Sequence, residues 1–313
     1  MGTRPQGLTQ GECSQGESRG IYTSGPPRSR RSTPCSPGFI IACQRTRSIM
    51  AQVSTVANWA PYIGVGLLTR LISFIRSAWI MVVVDNPLVW SLGLRGRNEK
   101  DDVEGPFYIL GAPKRQIEDG KAVLAPEALL NEFGPFLFLF EVKDEKGEPI
   151  SHATLDWWQA DPDGSYYFAS WTLRGKVQTN AHGRAEVLSI RPGDYGSEML
   201  GRRAGHVHLI ISGVNGEHKA LATQAYVCPA NDSDHMKTDL AKYARGHRPR
   251  NMMTCWSIPG ANSGQKYWGL PELPEDDLDT RARIDWWNAR LKERGVERNI
   301  LAVGRQDYRL TTA

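Results

Sequence analysis

From Asp101 onward the chain is punctuated by short β-forming runs: Phe136 to Val142, Ala153 to Gln159, Lys176 to Thr179, Ala185 to Ile190, His206 to Ser212 and Ala222 to Val227. Most are rich in β-branched or aromatic residues, which fit the pleated surface of a sheet. Turn-forming clusters separate them at Asp144–Gly147, Asp161–Gly164 and Asn180–Gly183, where Asp and Asn bond nearby backbone and Gly accepts a positive φ. Strands of this length joined by such turns predict an antiparallel β-sandwich. The fold expected is therefore mainly β.

Helical periodicity flanks this region. Leu67, Leu68, Leu71, Ile72, Ile75 and Trp79 repeat at helical spacing within the apolar stretch Tyr62–Val84. Arg70 and Arg76 interrupt that stretch, and a charge near the bilayer centre costs about 2.5–3.5 kcal/mol on insertion scales. The stretch is read as an amphipathic helix buried against the main domain or a second subunit, with no membrane partner expected. A C-terminal helix is predicted from Asp277 to Arg294, stopped by Gly295, with Trp286, Trp287 and Leu291 as its apolar contacts. The expected organisation is thus a β-sandwich domain over 101–313 preceded by a short helical linker or dimerisation segment over 50–100, which implies a homodimer.

Residues 1–49 have another character. Arg28, Arg30 and Arg31 sit among Pro and Ser, the only acids are Glu12 and Glu17, and nothing there can build a core. A disordered basic extension is expected. Its Arg- and Ser-rich composition resembles a mitochondrial transit peptide, but the amphipathic period is missing and Met50 offers another start, so a cytoplasmic protein is the preferred reading. Over the whole chain, 313 residues at 40% hydrophobic content can bury a large core, and a net charge of +4 does not demand a nucleic-acid partner. Cys13, Cys35, Cys43, Cys228 and Cys255 form no CxxC pair; they support neither a disulfide framework nor a thiolate zinc site, and fit a reducing compartment.

The chemistry concentrates around Gly205-His-Val-His-Leu-Ile-Ile211. On a strand, a period of two sends the imidazoles of His206 and His208 to one face while Val207 and Leu209 point to the other. Two neutral imidazoles converging on one face make a ready metal site, although an isolated HxH is equally a pair of surface histidines on an edge strand. Tyr195 lies in the turn Arg191-Pro-Gly-Asp-Tyr-Gly196, and Tyr166 follows the turn Asp161-Pro-Asp-Gly-Ser165. Phenolates are hard anionic donors suited to trivalent iron, and no HxD or HxE completes the two-His-one-carboxylate set of Fe(II) oxygenases. A zinc- or copper-binding module using the histidines alone, and a non-catalytic β-sandwich binding module, are the alternative readings; both leave the tyrosines without a role.

The order of motifs resembles one family. Glu104-Gly-Pro-Phe-Tyr108, Asp156-Trp-Trp-Gln-Ala160 with Gly164-Ser-Tyr166, Leu173-Arg-Gly175 with Thr179, Pro192-Gly-Asp-Tyr195, Arg203-Ala-Gly-His206-Val-His208 and Leu221-Ala-Thr-Gln224 follow one another as in the intradiol ring-cleavage dioxygenases, the catechol, hydroxyquinol and protocatechuate dioxygenases. The resemblance implies that the sandwich is a catalytic domain holding Fe(III) through Tyr166, Tyr195, His206 and His208. Tyr195 would be the phenolate that leaves when the substrate chelates, taking up one of its protons. Arg203 would stabilise the bound dianion, Gln224 would support it, and Val103 and Pro106 would line the substrate pocket. The partners implied are a small aromatic diol and O2, cleaved between the hydroxyl-bearing carbons to a cis,cis-muconate-type dicarboxylate.

Three departures from the family pattern carry expectations. Arg203-Ala-Gly-His206 stands where the family usually has Arg-Pro-Ala-His, which predicts a less rigid arginine loop. The interval from Tyr195 to His206 is short, which predicts a trimmed covering loop. The region before Asp101 is too short for the family's full helical linker. Arg202 is the one cation noted as a partner for a ring carboxylate, as protocatechuate would need.

Overall fold

The computed structural model describes residues 64–313, apart from 198, 200 and 262–266. Contacts within the chain divide it between Ser48 and Ile49. The expected basic extension over 1–49, with Cys13, Cys35 and Cys43, lies outside the described residues.

The described part opens with helix α1 (Leu67–Trp79), continued by a π-helical turn over Ile80–Val84, and the short α2 (Pro87–Ser91). Strands β1 (Gln116–Glu118) and β2 (Lys121–Val123) precede α3 (Glu127–Phe133). Next come β3 (Phe136–Asp144), β4 (Thr154–Gln159), β5 (Arg174–Gln178), β6 (Arg184–Ser189), β7 (Tyr195–Ser197), β8 (Gly201–Arg203), β9 (His206–Ser212) and β10 (Leu221–Tyr226). After α4 (Lys242–Arg245) the chain forms β11 (Thr254–Ser257), α5 (Leu278–Glu293) and β12 (Ala302–Leu310).

Strands β1-β2-β6-β3-β12-β11 make a six-stranded sheet, β10-β9-β4-β5 a four-stranded one, and β7-β8 a separate hairpin. The four-stranded sheet is antiparallel throughout. The six-stranded sheet is mixed: β12 runs parallel to β3 and β2 parallel to β6, which corrects the expected all-antiparallel arrangement. Parallel pairs need long crossovers, and the β3-to-β12 connection is most of the chain.

The continuous apolar run of β3 follows from burial on both faces. Phe136, Phe138, Phe140 and Val142 join Leu155 and Trp157 of β4 and Val207, Leu209 and Ile211 of β9 in one core between the sheets. Leu137 and Leu139 point the other way, into a second core with Ile284, Trp287 and Leu291 of α5. That helix begins as its sequence predicts, with the Asp277 carboxylate accepting the Thr280 N–H at 3.1 Å, and Gly295 follows its end at a φ of +73°.

Helix α1 does not bury its apolar face against the main domain, one of the two arrangements expected for it. Its buried residues are Ser73 and Ser77, whereas Leu67, Leu68, Leu71, Ile72, Ile75 and Trp79 are all exposed, Leu67 by 75%. The helical period was legible; the docking face is the polar one. Ser73 Oγ accepts the Leu110 N–H at 3.0 Å, and Arg76 forms a forked pair with Glu104 while lying 4.6 Å from the centre of the Tyr108 ring. Leu67–Val84 is long and apolar enough to cross a membrane by length and composition alone.

Candidate metal centre

The chemistry-bearing residues lie on the face of the four-stranded sheet turned away from the shared core. Strand register places Gln224, His208, Trp158 and Arg174 in one transverse row across β10, β9, β4 and β5, with Tyr226 and His206 paired in the adjoining row. Val207 and Leu209 enter the core, as the period of two predicts. Both histidines are buried, at 1% and 0% exposure.

Their Nε2 atoms lie 2.9 Å apart. Two lone pairs tolerate that separation only with a proton or a cation between them. The Nδ1 atoms are occupied elsewhere: His206 Nδ1 donates to the Ala204 carbonyl at 2.5 Å, and His208 Nδ1 lies 3.3 Å from Gln224 Nε2. Trp158 stacks on the His208 ring at 4.8 Å and 7°, fixing its plane.

The two tyrosines close over this pair. Tyr195 is not in the turn but opens β7, opposite Arg203 on β8, and its ring centre is 5.6 Å from that of His206. Tyr166 lies in the loop between β4 and β5, 6.2 Å from His208 and 5.3 Å from Tyr195 by ring centres. Their approach requires Gly164: at its φ of +80° a Cβ would stand 2.5 Å from the Asp194 carbonyl and 2.9 Å from Tyr195 Cβ. Both rings are half-buried, yet the Tyr166 hydroxyl is buried without a hydrogen-bond partner.

An orphaned buried hydroxyl is costly unless something else satisfies it. Two buried imidazole nitrogens and two phenol oxygens with no carboxylate or thiolate among them are the donor set that suits a trivalent hard cation, and the four residues fit Fe(III) on that ground. Burial holds both imidazoles well below their usual pKa, with Arg203 adding to the effect, which keeps them neutral. Burial raises both phenols; Arg203 opposes the rise at Tyr195. A bound cation would have to displace their protons to gain them as ligands.

Arg203 is held rigidly. Its Nε lies 3.1 Å from both Asp239 oxygens, its Nη2 donates to Gln224 Oε1 at 2.5 Å and to Tyr226 Oη at 3.2 Å, and its Nη1 reaches Tyr195 Oη at 3.4 Å. Asp239 also accepts the N–H groups of Ala204 and Ala241, at 2.9 and 2.8 Å. Behind it, Arg245 pairs with Asp102 and donates to Tyr226 Oη at 2.7 Å. The loose arginine loop expected from Arg203-Ala-Gly-His206 is therefore not what forms. Gly205 instead allows a close approach, since a Cβ there would meet the Pro192 carbonyl at 2.6 Å, and its N–H donates to Asp194 at 2.7 Å.

Gln224 reaches from Arg203 to the Val103 carbonyl at 2.7 Å. The Val103 side chain itself packs with Trp90 and Ala241. Pro106 is half-buried between Gly105, whose missing Cβ would lie 3.4 Å from His208 Cε1, and Phe107, whose ring is 4.5 Å from that of Tyr166. Arg202 is engaged by Asp194, His235 and Thr238, so it is not a free cation for a substrate carboxylate. Asp239, Tyr226, Arg245, Asp102 and Phe107 were not legible as site residues; charged residues on irregular segments carry no periodic signal of burial.

Residues 103–253 match a family model described as "Dioxygenase". A chlorocatechol 1,2-dioxygenase of Rhodococcus opacus is 32% identical over 162 residues, covering 45% of this chain and 61% of that protein. Catechol 1,2-dioxygenase 1 of Acinetobacter lwoffii is 30% identical over 144 residues, covering 39% of this chain and 44% of the relative. The chain thus spans less than two thirds of the length of these relatives. The crystal structure of catechol 1,2-dioxygenase from Pseudomonas arvilla C-1 aligns with a TM-score of 0.51 at 22% identity, over 88% of this chain and 77% of that one, a likeness of fold.

Proposed function

We propose that residues 103–253, which match the family model described as "Dioxygenase", form an intradiol ring-cleavage dioxygenase domain, and that this chain binds Fe(III) and cleaves a catechol-type ring between its hydroxyl-bearing carbons with O2, yielding a cis,cis-muconate-type dicarboxylate. One observation carries the reading: two buried Nε2 atoms 2.9 Å apart lie beneath two tyrosines, one of whose hydroxyls is orphaned. Tyr166, Tyr195, His206 and His208 would hold the ion. When bound, Fe(III) would supply a Lewis acid that draws electron density from a chelated diol.

The chain's own residues do the rest. Tyr195 Oη, beside Arg203 Nη1, is the group that takes up a substrate proton. Arg203 presents a fixed positive charge to the diol oxygens; Asp239 and Gln224 hold its plane, so no reorganisation is needed as charge develops. Pro106 and Phe107, beside His208 and Tyr166, would supply the wall against which the ring lies, while the Val103 side chain packs with Trp90 and Ala241 and its carbonyl holds Gln224. With Arg202 engaged by Asp194, an uncharged diol such as catechol or hydroxyquinol fits better than protocatechuate.

The exposed apolar face of α1 supports a homodimer, since a contiguous face of this kind is more stable covered. Cys228 and Cys255 are free, buried thiols, in keeping with the cytoplasm. The test of the metal centre is direct: iron-loaded protein shows a visible phenolate-to-iron charge-transfer band that Tyr195→Phe alters and His208→Ala abolishes. A colourless iron-loaded protein would refute the ligand set.

A further inference from the structure

Three buried arginines surround the site, and one differs from the others. Arg203 pairs with Asp239 and Arg245 with Asp102. Arg174, 1% exposed, takes part in none of the ion pairs among the described residues. Its Nη1 donates to the Phe107 carbonyl at 2.6 Å and its Nε to the Tyr167 carbonyl at 3.0 Å, while Nη2 is buried without a partner. The guanidinium carbon lies 5.9 Å from the Tyr166 ring centre and 5.8 Å from that of Phe168.

A charge buried without a counter-charge is retained against a large desolvation cost. Two backbone carbonyls repay part of that cost, and they belong to the segments on either side of Tyr166: Phe107 stacks against its ring, and Tyr167 is its neighbour in the chain. The planar fork of an arginine can bind two carbonyls at a fixed angle, which a lysine cannot do. Nη2 is inaccessible to solvent, which rules out direct recognition of a substrate group. Among the charged and polar groups its charge acts on, the Tyr166 phenol comes first and the Asp156 carboxyl second, with His208 also within its field.

We propose that Arg174 is a positioning residue for Tyr166: it ties the Phe107 and Tyr167 backbones together around that ring and holds a positive charge 5.9 Å from the ring centre while the ring serves as an anionic metal ligand. The proposal rests on the ferric reading of the site. It places Arg174 at the end of the row Gln224–His208–Trp158–Arg174, so one row of the sheet carries a ligand and the groups that orient both sides of the metal.

The experiment compares wild type, Arg174→Lys and Arg174→Met, each loaded with Fe(III), by visible spectrum and by steady-state kinetics with catechol. Arg174→Met, which removes the charge, shifts the phenolate-to-iron band to longer wavelength, because the donor oxygen loses the cation that stabilises its electrons. Arg174→Lys, which keeps the charge but not the fork, retains the wild-type band position. Both variants lose about tenfold to a hundredfold in kcat with a smaller change in KM, as expected when a reacting group is misplaced by a fraction of an ångström. Should Arg174→Met not fold, a fall in kcat for Arg174→Lys at an unchanged band carries the same conclusion. Bands and kcat within twofold of wild type in the variants would overturn the inference while leaving the ferric centre intact. No band in the wild type would overturn both.

Discussion

The Arg203 guanidinium and the Asp239 carboxylate form a buried pair in which Nε stands 3.1 Å from both oxygens, and through it the positive charge of the site is fixed beside Tyr195. Asp239 comes from the loop before α4, thirty-six residues downstream of Arg203, so the loop has a structural part in the chemistry.

Asp239→Asn leaves Arg203 and Arg245 with one buried carboxylate, that of Asp102, between them. The expected cost is about 3 kcal/mol of folding stability, as for a broken buried pair, and a loss of about a hundredfold in kcat/KM if Arg203 tilts away from the diol. Urea unfolding and catechol kinetics on the same preparation measure both. A stable variant with wild-type kinetics would mean that Arg203 is held by Gln224 and Tyr226 alone.

The orphaned Tyr166 hydroxyl predicts a trade of function against stability. In metal-free protein, Tyr166→Phe removes a buried polar group with no partner and raises stability by about 1 kcal/mol. In iron-loaded protein the same change weakens the charge-transfer band and metal retention. Thermal melts with and without chelator check the sign; destabilisation of the chelated form would show that the hydroxyl has a partner.

Asp85 ties the end of the α1 region to the site, accepting the N–H groups of Glu104 and Gly105 at 2.9 and 3.0 Å, and burial raises its pKa to about 6. A carboxyl raised on folding binds its proton more tightly in the native state, so its stabilising contribution is full below an unfolded pKa near 3.8 and is lost as pH rises through about 6. Asp85→Asn, which can still accept both N–H groups, is therefore close to wild type in stability at about pH 4 and more stable by up to about 3 kcal/mol at about pH 8. An equal difference at both pH values, measured by urea unfolding, would contradict the assignment.

The exposed face of α1 predicts the oligomeric state. The expected result by light scattering is a dimeric wild type, and Leu71→Glu with Phe74→Glu, both at exposed positions, is expected to give a monomer that keeps its iron band. A monomeric wild type would remove the dimer from the account.

What the amino-acid pattern made legible was whatever it repeats. The strands around His206–Ser212 follow from alternation and turn chemistry, and the four candidate ligands follow from motif order. Ala302–Leu310 was not picked out although Arg305, Asp307 and Arg309 alternate with buried residues, because its partner strand β3 lies far upstream. Helix α1 was recognised by its period, but of its two expected docking surfaces the main domain is not the one that covers Leu71 and Ile75: the contacts made there are those of Ser73, Arg76 and Ser77. Asp239, Asp102 and Arg245 carry no periodic signal in the sequence, and only the fold brings them together.

The measurement that tests the central claim most directly is anaerobic addition of catechol, hydroxyquinol and protocatechuate to iron-loaded protein, followed by admission of oxygen, with the visible spectrum recorded throughout. The account predicts that an uncharged diol shifts the phenolate band and that oxygen then restores it as a muconate-type dicarboxylate accumulates, with protocatechuate the weakest of the three. A phenolate band that no diol perturbs, or a perturbed band with no ring-cleaved product after oxygen, would contradict it.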